Sequence, residues 1–117
     1  MTTLIEKIST INDLKLQGKS AEAFNEFYHD RVLVQDNKGL VCQGKKSNIK
    51  REEIFASGII EFRCAKPLKV AIGEKITMVE WYFNFLHNKL GEQKYNQVAV
   101  QEWQDGMIIK EKRYYES

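Results

Sequence analysis

Gln93-Lys-Tyr-Asn-Gln-Val-Ala-Val-Gln-Glu-Trp103, Gln104-Asp-Gly-Met107 and Ile108-Ile-Lys-Glu-Lys-Arg-Tyr-Tyr115 run on from one another, and their reading decides the fold. The outer two are long extended segments. Asp105-Gly106 between them is a dipeptide that readily takes the positive φ angles of a tight hairpin. Met78 to Leu86, upstream across a loop containing Gly91, is a third extended segment. Together they predict an antiparallel meander. Such a sheet buries a face against other elements, and the helical first half of the chain is the cover available.

Alternation divides the faces. Val79, Trp81, Phe83 and Phe85 oppose Glu80, Tyr82, Asn84 and Leu86. Gln97, Ala99, Gln101 and Trp103 oppose Asn96, Val98, Val100 and Glu102. Ile109, Glu111, Arg113 and Tyr115 oppose Ile108, Lys110, Lys112 and Tyr114. A sheet with one solvated face alternates more cleanly than this. Two mixed faces predict that one covers a partly polar cavity and the other meets a partner.

Outward from the meander, Thr3 to Gln17 has helical spacing at Leu4, Ile8, Ile11 and Leu14 or Lys15. Thr3 and Glu6 fit a capping box, and Gly18 is a stop. Ser20 caps a second helix from Ala21 to about Tyr28, with Phe24, Phe27 and Tyr28 inward. Arg31 to Asp36 is a strand, Asn37-Lys38-Gly39 a turn, and Leu40 to Gln43 a short second strand. Ser47 caps a half-exposed third helix with apolar Ile49, Ile54 and Phe55, and Asn48 belongs to its cap region. Ile59 to Ala65 and Leu68 to Gly73 are strands on either side of Pro67, which marks a break, bulge or edge because it cannot donate to a ladder.

The 117 residues predict one domain, residues 1–117, large enough to form a core without staples. A net charge of +2 is too small to argue for nucleic acid or an anionic membrane. No apolar run spans a bilayer, and the N-terminus lacks the pattern of a signal peptide. Cys42 and Cys64 therefore read as reduced thiols in a cytoplasmic protein. No metal-ligand spacing, P-loop, dinucleotide fingerprint or G-x-S-x-G occurs, so neither metal nor cofactor is expected. Lys45-Lys46 and Lys50-Arg51 read as a solvated face.

Three stretches carry a family likeness: Phe27-Tyr-His-Asp-Arg-Val-Leu-Val-Gln-Asp36; Gly44-Lys-Lys-Ser-Asn48 with Arg51-Glu-Glu-Ile-Phe55; and Val79-Glu-Trp81 with Val98-Ala-Val-Gln-Glu-Trp103 and Asp105-Gly106. With the order of elements, they resemble the SnoaL-like branch of the nuclear transport factor 2-like superfamily over nearly the whole chain. The resemblance implies an α+β cone: three N-terminal helices packed on a strongly curved, mostly antiparallel sheet. It implies a pocket for a small apolar or carbonyl-bearing molecule, and a homodimer formed through the convex face with Val98, Val100 and Tyr114. The superfamily includes isomerases, cyclases and dehydratases that use no cofactor, as well as binding proteins.

Ketosteroid isomerases of this fold carry an aspartate base at the end of the strand after the second helix. The likeness puts Asp36 there; its other reading is a turn residue ahead of Asn37. Their oxyanion partners are a tyrosine on the first helix and a protonated aspartate on the penultimate strand. Here the first helix has no tyrosine and Ala99 takes the aspartate position. SnoaL-like cyclases use an acid/base on the late strands, where Gln101, Glu102 and Glu111 are nearest. The ligand-binding set on this reading is Tyr28, Trp81, Phe83, Gln97, Gln101, Glu111, Arg113 and Tyr115. An enzyme, a binding module and a dimerising scaffold all remain open.

Overall fold

The computed structural model describes residues 2–116. Helices α1 (Leu4–Leu16) and α2 (Ser20–Phe27) lead into β1 (Tyr28–Asp36) and β2 (Cys42–Gln43). Helix α3 (Lys45–Ser57) precedes β3 (Ile59–Ile72), β4 (Ile76–His87), β5 (Gly91–Gln104) and β6 (Met107–Tyr115). The six strands form one sheet in the order β2-β1-β6-β5-β4-β3. Only β1 and β6 pair in parallel; the other neighbours are antiparallel. The fold class is α+β with a mixed sheet. Among the described residues no helix is long and apolar enough to cross a membrane.

The meander is built as its turn chemistry dictates. Asp105 and Gly106 take φ of 51° and 80°, the paired positive angles of a two-residue hairpin. Pro67 lies on the edge strand β3, next to a register shift between Pro67 and Lys69. The shift bends one strand instead of separating two, so Ile59–Ile72 is continuous where two strands were expected. β1 likewise begins at Tyr28, three residues before the expected Arg31.

Two helix starts differ from expectation. Lys19, not Ser20, is the N-cap of α2, and Ser20 is its first helical residue. α3 begins at Lys45 because Gly44 takes φ of 97°, a conformation open to glycine, which turns the chain into the helix before Ser47 is reached. Asn48 is fully buried, and its Nδ2 donates to the carbonyls of Cys42 and Gly44, tying α3 to β2. At α1 the Thr3 hydroxyl accepts from the Glu6 amide at 3.3 Å, one half of the expected box.

The core lies between α1, α2 and the helix-facing side of the sheet. Ile8, Ile11, Phe24, Val32, Val34, Val79 and Ile108 are completely buried. Each such side chain contributes about 1.5–3 kcal/mol. On β6 the core residue is Ile108, where alternation pointed to Ile109. Trp103 pairs with Ile108 and Glu102 with Lys110, so Ile109 is an extra residue that flips the phase. Glu111, Arg113 and Tyr115 then face the helices. Cys42 and Cys64 are free, on β2 and β3 at opposite edges of the sheet.

Candidate functional site

Register places the polar groups. Asp36 ends β1 beside Arg113 of β6. Across β5, Glu111 pairs with Gln101, Arg113 with Ala99 and Tyr115 with Gln97. α3 adds Arg51, Glu52 and Phe55, and α1 adds Lys15.

Glu111 is completely buried. Its Oε1 accepts from the Tyr28 hydroxyl at 2.5 Å and from Gln101 Nε2 at 3.0 Å, and its Oε2 accepts from Arg113 Nε at 2.7 Å. Lys15 Nζ donates to the Tyr28 oxygen at 3.4 Å. Gln101 Oε1 accepts from Thr77 Oγ1 at 2.7 Å, and Thr77 Oγ1 accepts from the Trp103 indole at 2.9 Å. Arg113 also reaches Glu52 Oε1 at 2.7 Å and lies 3.8 Å from Asp36 Oδ1. Burying so many charges is tolerable only because each has partners.

Those partners set the ionisation. Burial pushes the Glu111 carboxyl up, but the charges of Lys15 and Arg113 and hydrogen bonds from Tyr28 and Gln101 outweigh it, holding the group at about 2. At Glu52 burial again opposes, and Arg113 and Lys15 win, lowering it. Burial pulls the Arg113 guanidinium down, while Glu52, Glu111 and Asp36 hold it well above its ordinary value. Burial and the Glu111 charge push the Tyr28 hydroxyl up, so it remains a donor. Burial and the charge of Asp36 push Tyr95 up to about 12. Burial and the hydrogen bond to Asp36 raise Tyr115.

Above this network lies a cavity of about 460 Å³, within the range of small-molecule sites. Its wall is aromatic. Trp81 stacks on Phe83 with centroids 5.5 Å apart, and Phe83 lies 5.6 Å from Tyr95. Tyr95 stacks on Tyr115 at 5.1 Å, and Phe55 meets Phe85 edge to face at 5.6 Å. Asp36 Oδ2 accepts from the Tyr115 hydroxyl at 2.8 Å. Asp36 Oδ1 has no hydrogen-bond partner among the described residues and lies between Arg51 at 3.7 Å and Arg113 at 3.8 Å. Tyr95 and Gln97 also line the cavity.

Of the residues singled out in the sequence, Asp36, Trp81, Phe83, Gln97, Arg113 and Tyr115 line the cavity. Tyr28, Gln101 and Glu111 do not. They lie behind its wall, their polar atoms spent on one another and on Lys15, Thr77 and Arg113. Glu102, also weighed, falls on the opposite face, paired with Ile76 and Lys110. Sequence reasoning missed Lys15, Arg51, Glu52, Phe55, Phe85 and Tyr95. Tyr95 had a signal: it precedes Gln97 by one step of the same alternation.

No family model and no curated protein matches the sequence. Solved structures do. A Mesorhizobium loti protein, provisionally named a SnoaL-like polyketide cyclase [carbohydrate phosphatase], superposes with a TM-score of 0.86 at 17% identity, over 97% of this chain and 100% of that one. A nuclear transport factor 2-like protein of unknown function from Burkholderia pseudomallei gives 0.83 at 10% identity, over 99% and 92%. A Catenulispora acidiphila hypothetical protein with a ketosteroid isomerase-like fold, in complex with trimethylamine, gives 0.76 at 12% identity, over 97% and 87%. Identities this low speak for architecture alone. In that architecture the chain has the nuclear transport factor 2-like fold, in the form shared by SnoaL-like proteins.

Proposed function

We propose that the chain is a single small-molecule-binding domain of the SnoaL-like kind, taking an apolar or carbonyl-bearing ligand into the cavity. One observation carries this reading: an aromatic wall borders a cavity of about 460 Å³ that Tyr95, Gln97 and Asp36 also line. An apolar wall with a few convergent polar groups is the general form of such sites. The domain works as a cytoplasmic homodimer, joined through the face that carries Val98, Val100 and Tyr114, of which Val98 and Tyr114 are exposed and Val100 half-buried. Native mass spectrometry of freshly purified protein tests this. A dimer with a small added mass that leaves on denaturation is the expected result. A protein that carries no mass and binds no member of a ring-compound panel in calorimetry refutes the ligand reading and leaves a scaffold.

A second reading, a cofactor-free isomerase, cyclase or dehydratase with Asp36 as base, is favoured by how Asp36 is held. Tyr115 fixes one carboxylate oxygen, and the other makes no hydrogen bond with a described residue. The base role is proton abstraction next to a carbonyl whose oxygen Tyr95, Gln97 or Arg113 orients. Asp36→Asn is expected to keep ligand affinity and abolish solvent-deuterium exchange into a ketone. Exchange as fast as in the parent protein removes Asp36 from that role.

A further inference from the structure

We propose that the ligand is an amphiphile: an uncharged polar ring seated in the cavity, with an alkyl tail that leaves it across Leu40 and Phe62. This rests on the small-molecule reading above and names the class of molecule.

The aromatic wall of the cavity continues outward as apolar surface. Its enclosed part sets Trp81 and Phe85, each 3% exposed, beside the Arg113 and Glu52 side chains, 11% and 26% exposed. Its outer part carries Leu40, 94% exposed, Phe62, 60%, and Phe55, 37%, all bordering the cavity, together with the half-exposed Asp36 and Arg51. Exposed apolar surface continuous with a pocket marks a contact that the isolated chain leaves unmade.

Leu40 is not exposed through a loose turn. The Asn37 amide donates to the Arg113 carbonyl at 2.7 Å, and Asn37 exchanges two hydrogen bonds with the Tyr115 backbone at 2.8 and 2.9 Å. Gln35 Nε2 donates to the Gly39 carbonyl at 2.9 Å. The turn is anchored and presents a leucine to solvent. Phe62 pairs in register with Phe85 and so belongs to the cavity side of β3, apart from the face proposed for dimerisation.

The head is uncharged because the charges around the cavity already cancel. Asp36, Glu52 and Glu111 face Lys15, Arg51 and Arg113 in contacts described above. A carboxylate would meet Asp36 and Glu52, while the cations of the lining are already engaged: Arg113 with Glu52 and Glu111, Arg51 beside Asp36, and Lys15 with Tyr28. An ammonium would meet two guanidiniums beside Asp36. Either leaves a charge uncompensated in a partly dry site. A phenol, alcohol or ketone finds Tyr95 and Gln97.

Calorimetry with para-alkylphenols from ethyl to decyl tests the proposal, on the parent protein and on the Leu40→Ser/Phe62→Ser double variant. Both side chains are exposed, so the variant keeps its fold, which circular dichroism verifies. Affinity is expected to keep rising to the longest tails, by about twofold per methylene, roughly half-burial of each. The double variant is expected to flatten that rise for long tails and leave ethyl and butyl phenol unchanged. Affinity that peaks at short tails, or identical series for the two proteins, overturns the proposal and leaves the small-molecule reading standing. So does tighter binding of the matched benzoates or benzylamines. If no compound binds, the small-molecule reading falls as well. If ultracentrifugation shows that the double variant breaks a dimer while the tail dependence persists unchanged, the rim belongs to a second copy.

Discussion

Tyr28 and Glu111, 83 residues apart, share a hydrogen bond of 2.5 Å that joins the first strand to the last beneath the cavity. Tyr28 reaches it because α2 hands directly over to β1, with its ring 4.2 Å from that of Phe24. Tyr28→Phe keeps the packing and removes the hydroxyl. Glu111 Oε1 then has only Gln101, and Lys15 loses its acceptor. The expected cost is about 1–3 kcal/mol, read from the urea midpoint at unchanged slope.

The depressed Glu111 carboxyl makes stability depend on acid. Its folded value of about 2 lies below its ordinary value of 4.5, so its contribution is complete above about 4.5 and is lost as pH falls through 2. That contribution is on the order of 3 kcal/mol at neutral pH. Glu111→Gln is expected to lower stability at neutral pH and flatten the acid limb. A limb as steep as in the parent protein assigns the linkage elsewhere. At the alkaline end the sign reverses. Tyr95 is raised to about 12, so its contribution is present below its ordinary 10 and lost as pH rises through 12. Tyr95→Phe is expected to shallow that decline.

Arg113 is the hub of the charges, with Glu111 and Glu52 each at 2.7 Å. Arg113→Met leaves buried carboxylates without their cation, a loss on the order of 3–5 kcal/mol. Arg113→Lys restores charge but not the planar fork that serves both carboxylates, so an intermediate loss is expected. Equal losses in urea titrations mean that geometry, not charge, holds the cluster.

Gly58 is a steric requirement. A Cβ there lies 2.5 Å from His87 Nε2 and 2.6 Å from Cε1. The ring cannot yield freely: Nε2 lies 3.1 Å from the Phe55 carbonyl, and Nδ1 accepts from the Lys89 and Leu90 amides. The φ of Gly58 is −87°, so no backbone strain is involved. Gly58→Ala is expected to cost about 1–3 kcal/mol, and less in a His87→Ala background, where the contact with Asn88 Oδ1 at 2.8 Å remains. A cycle showing full additivity rules out the clash with His87 as the cause.

Much of the fold was legible because local rules and tertiary demands agree in the meander. Asp105-Gly106 fixes the last turn, and alternation on β4 and β5 identifies the helix-facing residues. It failed where backbone geometry adds a residue. Nothing in Met107-Ile108-Ile109 reveals that the bulge falls there, and the phase of Ile108 follows from it. Pro67 announced an irregularity without saying whether it divides the strand or bends it. In the site, Gln97, Arg113 and Tyr115 were read from β-alternation. Glu52 and Arg51 were not, because α3 is polar around most of its surface and no stripe marks its inner side. Tyr28 and Glu111 were chosen for the right neighbourhood, but only the pairing of their side chains shows that they stand behind the wall.

The parallel seam between β1 and β6 has a consequence for how the chain is made. β3 to β6 pair with sequence neighbours and assemble by short loop closures, whereas the seam joins Asp36 to Arg113 and waits on a far longer one. During synthesis, α1, α2 and β1 leave the ribosome carrying Lys15, Tyr28 and Asp36 long before the partners of those groups exist. The cavity is thus the last part of the domain to be completed, and its apolar wall is open to aggregation until the final strand docks.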